Sequence, residues 1–235
     1  MENKLIIRAS KFGCIMTDPK TKADKEAGLL GETAKTFIES IWLFNNYGYK
    51  EDVVTDEMMK GHLCEQDSMA LAQEVLGGEF RTKNTERFTN EYSSGHPDII
   101  LKKEDFLEDL KTSYNLRTFF EAEYKQGSLY WWQGQCYMWL TGKRNYRLIY
   151  CLVPTPDEYI VEQKKRFYFK FNCDETNQDY IDISMQIDKN NDLIKEIPAK
   201  ERIKVFEFPY DAEAIEKFKV QYAKALNYYN TLKLN

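Results

Sequence analysis

Apolar residues recur at intervals of three and four between residues 26 and 46, where Leu29, Leu30, Ala34, Phe37, Ile38, Ile41 and Trp42 form one stripe before Asn45-Asn46-Tyr47-Gly48 ends it. That spacing predicts an amphipathic helix. Thr55-Asp56 followed by Glu57 opens a second helix, expected to run to Gly77-Gly78. The period then shortens. Phe80 to Lys83, Asp98 to Leu101 and Phe106 to Thr112 read as strands, with Gly95-His96-Pro97 and Lys102-Lys103-Glu104-Asp105 as turns between them. Helical patterns return at 116–125 and 128–140, and Arg147 to Val153 is a buried strand ended by Pro154 and Pro156. A helix over 156–169, a polar stretch through 172–200 with weak helical patterning, a strand from Ile203 to Phe208 and a last helix from Asp211 to Leu232 complete the chain. This alternation predicts a mixed α/β fold. With no internal repeat or low-complexity linker, residues 1–235 are expected to form one domain.

Composition narrows the class. At 43% hydrophobic and 14% aromatic, 235 residues can bury one sizeable core. There is no run long and apolar enough for a membrane span, and Met1-Glu2-Asn3-Lys4 does not lead into a signal peptide, so a cytoplasmic protein without a membrane partner is expected. Five scattered cysteines without a CxxC pair signal neither a disulfide framework nor a zinc or iron–sulfur site, and buried free thiols are expected. A net charge of -5 excludes a generally basic nucleic-acid coat but leaves one local groove open.

The candidate chemistry lies in residues 93–120. Residues two apart on a strand share a face, so Asp109 and Lys111 point one way and Leu110 the other. A strand, a short turn and a returning strand would bring Asp98 beside Asp109. Two converging carboxylates repel unless a cation lies between them, and Mg²⁺ takes such oxygen sites. A third acid, Glu65, interrupts a helical row formed with Met58, Met69 and Leu76. A carboxylate there joins a metal, snorkels to water or meets a buried lysine.

Pro97-Asp98 followed by Asp109-Leu110-Lys111 is the PD-(D/E)XK nuclease pattern. Four further segments make the chain resemble lambda exonuclease and the related phage and bacterial alkaline exonucleases: Arg8-Ala9-Ser10-Lys11, Lys60 to Glu65, Leu116-Arg117, and the Trp132-Gln133-Gly134-Gln135 helix continuing to Thr141. Their order and spacing match over residues 8–153. The resemblance implies a restriction-endonuclease-like mixed central sheet flanked by helices. It also implies that Glu65, Asp98, Asp109 and the Leu110 carbonyl hold one or two Mg²⁺ ions, with Mn²⁺ as a substitute, and that Lys111 attends the attacking water. Gln133 would support the nucleophile or a ligand, Ser10 would contact a substrate phosphate, and Arg117 would engage DNA. Residue by residue, plainer roles remain open: a salt bridge to Asp109 for Lys111, a core hydrogen bond for Gln133, an N-cap for Ser10 and a surface position for Arg117.

Two features depart from the family: Asp109 stands where the exonuclease has glutamate, and fewer residues precede Arg8. The activity implied is a Mg²⁺-dependent DNA exonuclease that resects duplex ends 5′ to 3′ for phage recombination or replication, in the host cytoplasm, with a single-strand annealing protein as partner. A homotrimer is expected, with Tyr168, Phe169, Phe171 and Lys164-Lys165-Arg166 as contact candidates. The rival readings are a restriction-type endonuclease of the same superfamily and a catalytically inactive nucleic-acid-binding or phage scaffold protein.

Overall fold

The structure, a computed structural model, describes residues 5–51, 54–172 and 174–234. Strand β1 (Ile7–Arg8) leads into a 3₁₀ helix (Ala9–Met16), then come helices α1 (Lys22–Glu26), α2 (Glu32–Tyr47), α3 (Asp56–Leu63) and α4 (Glu65–Leu76). Strands β2 (Phe88–Thr89), β3 (Ser93–Gly95), β4 (Ile99–Ile100) and β5 (Phe106–Thr112) follow, then α5 (Leu116–Glu121), α6 (Leu129–Thr141) and β6 (Asn145–Cys151). Helices α7 (Asp157–Phe171) and α8 (Gln178–Glu196), strand β7 (Ile203–Pro209) and helix α9 (Ala212–Thr231) complete the order.

The architecture is mixed α/β. A four-stranded sheet runs β4-β5-β6-β7, with β5 parallel to β6 and antiparallel pairs on either side, and a small sheet runs β1-β3-β2. Alternation along the strands divides the core. Tyr146, Leu148 and Phe208 face the α6 side with Trp131, Trp132 and Phe218, whereas Ile149 and Cys151 face Leu71 and Ala72 of α4. Helix α6 lies close to the sheet because residue 134 is glycine: a Cβ there would stand 2.8 Å from the Phe208 ring. Ser128 caps its start by accepting from the Trp131 N–H, and Gly142, at φ +77°, ends it in the left-handed region.

Four expectations are corrected. Gly28 takes φ +68° and Gly31 caps α2 with extended backbone, so Leu29 and Leu30 precede the helix instead of lying in it. The helix expected over 55–77 breaks at Cys64 into α3 and α4. No strand forms at Phe80 to Lys83. The Arg81 N–H donates to the Gln73 side chain and its guanidinium is buried, so that segment is tied down by side chains rather than by a ladder. The weakly patterned stretch holds the 19-residue α8, whose polar face is solvated. Cys14, Cys64, Cys136 and Cys151 are buried and free, and Cys173 lies outside the described residues. No helix among the described residues is long and apolar enough to cross a membrane.

Candidate active site

Strand β5 is the spine of the site. Its odd positions, Asp109 and Lys111, face α6, and its even positions face α3 and α4. Glu108, fully buried, accepts from Arg81 Nε and Nη2 at 2.7 and 3.0 Å and from Arg147 Nη1 at 2.6 Å. Arg81 also donates to the Gly77 carbonyl at the end of α4. Thr112 shares a hydrogen bond with Ser68 at 2.8 Å, and beyond the strand the Tyr114 carbonyl accepts from the buried Lys60 ammonium at 2.8 Å. Burial pushes the Lys60 pKa down to about 8. These polar contacts lock α3 and α4 to β5, and Glu65, the first residue of α4, is fixed between them.

Asp98 precedes β4, and the β4–β5 pairing brings it to Leu110, whose N–H donates to Asp98 Oδ2 at 3.3 Å. Asn84 braces this segment, donating its backbone N–H to the Asp98 carbonyl and its side-chain amide to the Pro97 carbonyl. Residue 95 is glycine for a steric reason, since a Cβ there would lie 2.7 Å from the Tyr137 ring. The β4–β5 turn is held by Lys143, which donates to the Leu101 and Glu104 carbonyls, and by Glu79, which accepts from the Lys102 and Lys103 N–H groups.

The result is a cleft of about 600 Å³ bordered by Glu65, Lys83, His96, Asp98, Leu110, Lys111, Tyr130 and Tyr150. Asp109 lies behind this lining, 1% exposed. Its Oδ1 accepts from Gln133 Nε2 at 3.3 Å; its Oδ2 has Lys111 Nζ at 2.5 Å but, among the described residues, no well-aligned hydrogen-bond donor. Asp98 keeps some solvent contact, yet burial, and then the facing Asp109 charge, push its pKa up to about 8. Burial works against the Lys111 charge, but Asp109 and Asp98 outweigh it and raise the pKa, so this lysine is an ammonium.

These donors fit a hard divalent cation: two apposed carboxylates destabilise one another, and one buried oxygen lacks an aligned donor. Glu65 borders the same cleft but is turned to Lys83 at 2.6 Å, a half-exposed lysine where the alternative reading expected a buried one. Among the described residues, no three acid, histidine or cysteine side chains stand together as a ready ion cage. Lys83 is about half exposed, so its pair with Glu65 can open without unpacking the core.

Gln133 is buried on Asp109 and also donates to the Tyr137 hydroxyl at 3.2 Å. Gln135, on the far side of α6, joins β7 to α9 through the Pro209 carbonyl and the Asp211 N–H. Ser10 is exposed in the 3₁₀ helix, next to Ala9, which packs at Gly95. Arg117 pairs with Glu121 at 2.9 Å and lines a neighbouring groove, not the acid cleft. His96 borders the cleft, as does the exposed His62. Sequence reasoning missed Arg81, Asn84 and Lys60, whose partners are far along the chain. The buried charge at Glu108, between Leu107 and Asp109, was the one available signal.

No protein-family model matches the chain, and no curated sequence does. Solved structures do. The fold is shared with the alkaline exonuclease LHK-Exo from Laribacter hongkongensis (14% identity, TM-score 0.62, covering 96% of this chain and 88% of that one). LHK-Exo in complex with dAMP aligns similarly, with TM-score 0.61 at 13% identity over 96% and 88% of the two chains. The crystal structure of a phage-related exonuclease from Haemophilus somnus 129PT superposes with TM-score 0.76 at 30% identity, over 97% of this chain and 94% of that one. The chain belongs to this phage-related exonuclease family.

Proposed function

We propose that the protein is a Mg²⁺-dependent DNA exonuclease of the PD-(D/E)XK type that degrades duplex ends. The observation that carries the reading is the apposition of Asp98, Asp109 and Lys111 at a cleft floor in a member of an exonuclease family. The dAMP bound to the structurally similar LHK-Exo is in keeping with a nucleotide in such a cleft.

Asp98, Asp109, Glu65 and the Leu110 carbonyl would hold one or two Mg²⁺ ions, with Mn²⁺ as a substitute. A bound ion supplies an acidified water and neutralises charge gathering on the phosphate. The chain's own residues do the remaining work. Gln133 holds one Asp109 oxygen and so leaves the other toward Lys111 and the cleft. As an ammonium, Lys111 holds the attacking water by donating to it and balances negative charge on the phosphate. Arg81 and Ser68 keep α4, and with it Glu65, at a fixed distance from β5. Ser10 and Arg117 would contact the DNA outside the acid cleft.

Polarity is proposed as 5′ to 3′, the role as end resection in phage recombination or replication with a single-strand annealing protein, and the assembly as a homotrimer. The basic run offers little to that assembly, because Lys164 pairs with Asp188, Lys165 with Glu162 and Arg166 with Asp56. Phe169, at 76% exposed, is the stronger contact candidate.

The test uses linear and covalently closed duplexes labelled at either end, with Mg²⁺, Mn²⁺, Ca²⁺ or EDTA. Release of 5′ label from linear DNA in Mg²⁺ or Mn²⁺ is expected, with weak support from Ca²⁺ and none in EDTA. Asp98→Asn and Lys111→Ala should abolish it while keeping the fold. Cutting of closed circles would establish the endonuclease reading, and inactivity under every condition the binding-protein reading. Light scattering at micromolar concentration should give three times 27.9 kDa, and a monomer that digests processively would refute the trimer.

A further inference from the structure

Helix α6 presents one row of side chains to the site. Tyr130, Gln133 and Tyr137 stand at positions i, i+3 and i+7 and so share a helical face. Each meets a different part of the acid cluster. Tyr137 packs where Gly95 leaves room beside the Pro97-Asp98 segment, and Gln133 holds Asp109. Tyr130 has the Lys111 ammonium over its ring, with Nζ 4.8 Å from the centroid.

Tyr130 is held in place by its helix and by a neighbouring ring. It lies in the first turn of α6, which Ser128 caps. Its ring meets that of Tyr150 edge to face, with centroids 6.2 Å apart and planes at 74°. Tyr150 is the cross-strand partner of Lys111, so strand register itself brings lysine and ring together. Yet Tyr130 is 41% exposed at the cleft rim and contributes little to the core. Its packing does not explain a well-placed aromatic here; its contact with the ammonium does.

We propose that Tyr130 is a positioning residue for Lys111, its ring face holding the ammonium toward the cleft. Resting on the nuclease reading above, the inference adds a residue which that reading does not assign. The physical basis is the attraction of a cation to the negative face of an aromatic ring, which strengthens as water is excluded. Among the described residues Lys111 otherwise pairs directly with the Asp109 carboxylate at 2.5 Å, with the Asp98 carboxyl close by, and carboxylates also engaged with a divalent ion hold an ammonium less firmly. A ring face is indifferent to that change. It keeps the lysine directed at the cleft when the acid is shared, and it needs no hydroxyl to do so.

The experiment compares Tyr130→Phe and Tyr130→Leu with the wild-type full chain. Two readouts are used: cleavage of end-labelled linear duplex, and NMR of the lysine side chains in the metal-free protein, with Lys111 assigned by the signal missing from Lys111→Ala. The Lys111 methylene next to the ammonium should resonate upfield under the ring, remain there in Tyr130→Phe and move to an ordinary lysine position in Tyr130→Leu. Cleavage by Tyr130→Leu should fall about tenfold in kcat, the order expected from losing one cation–π contact in a partly desolvated site, with KM for DNA and the melting temperature unchanged. Tyr130→Phe should retain wild-type kcat. The inference is overturned if the Lys111 signal is the same in wild type and Tyr130→Leu, if kcat is unaffected in Tyr130→Leu, or if Tyr130→Phe loses as much as Tyr130→Leu, which would make the hydroxyl a substrate contact. A wild type that cleaves no DNA overturns the nuclease reading and the catalytic role of Tyr130 with it, whereas an active wild type beside an unimpaired Tyr130→Leu removes the inference alone.

Discussion

Replacing Arg81 with methionine should cost the protein about 3 kcal/mol, because it strips a fully buried carboxylate of its bidentate partner. Glu108 sits on β5 with no solvent access and receives two hydrogen bonds from Arg81, at 2.7 and 3.0 Å. Breaking a buried ion pair from one side costs about 3–5 kcal/mol, mostly from leaving the other charge unpaired. Arg147 stays at 2.6 Å from Glu108, but it also serves Glu207 at 2.6 Å, so its charge is shared and the lower end of the range applies. The Gly77 carbonyl loses its donor as well. Since a domain is typically stable by about 5–15 kcal/mol, Arg81→Met should still fold, and urea unfolding followed by tryptophan fluorescence can measure the loss. Glu108→Leu alone leaves Arg81 buried without a counter-ion and should be similarly damaging. The double variant removes both charges and should recover most of the stability, giving a coupling energy of about 2 kcal/mol or more in the cycle. A loss below about 1 kcal/mol in Arg81→Met, or simple additivity in the double variant, would show that the pair does not hold α4 to the sheet.

Two further predictions follow from the titrating groups. Burial and the facing Asp109 raise the Asp98 pKa, so in the metal-free protein this carboxyl keeps its proton to higher pH than a free one, and a divalent ion binds only the carboxylate. Binding of Mg²⁺ or Mn²⁺ near neutral pH should therefore release protons, measurable by calorimetry in buffers of different ionisation enthalpy, and Asp98→Asn should release fewer; equal release by both would remove Asp98 as the ligand that titrates. Lys60 has a folded pKa of about 8 against an ordinary 10.5, so between those values the unfolded chain binds more protons and stability must rise with pH. Its contribution is present above about 10.5 and is lost as pH falls through 8. Relative to Lys60→Met, the wild type should gain up to about 3 kcal/mol across that window, and parallel stability curves for the two proteins would refute the burial argument.

What the sequence by itself determined was local. Period and punctuation located β5, β6, β7, α6 and α9 to within a few residues, because strand alternation, helical stripes and glycine stops are written in near neighbours. The spacing of Pro97-Asp98 and Asp109-Leu110-Lys111 likewise brought two acids together across an antiparallel pair, Asp98 just ahead of β4 and Asp109 within β5, since a short turn leaves a chain few other ways to return. Gln133 beside the acids was legible only through the resemblance to a family. Tertiary structure decided the rest. The break at Cys64 makes Glu65 the start of a helix instead of part of an apolar row, and no local signal marks it, because the contacts flanking it are made by Lys60 to the Tyr114 carbonyl just beyond β5 and by Ser68 to Thr112 in β5, 54 and 44 residues on. The segment from Phe80 to Lys83 has strand-like composition but is held by Arg81 reaching Glu108, a pairing visible only once both are buried. The three strands of the small sheet are two or three residues long, too short to show a period, and exist because β1 and β3 meet across more than 80 residues. The pairing of Glu65 with Lys83 and of Lys111 with Asp109 was open in the sequence for the same reason: periodicity says which face a charge is on, and only the packed fold says which opposite charge is there to meet it.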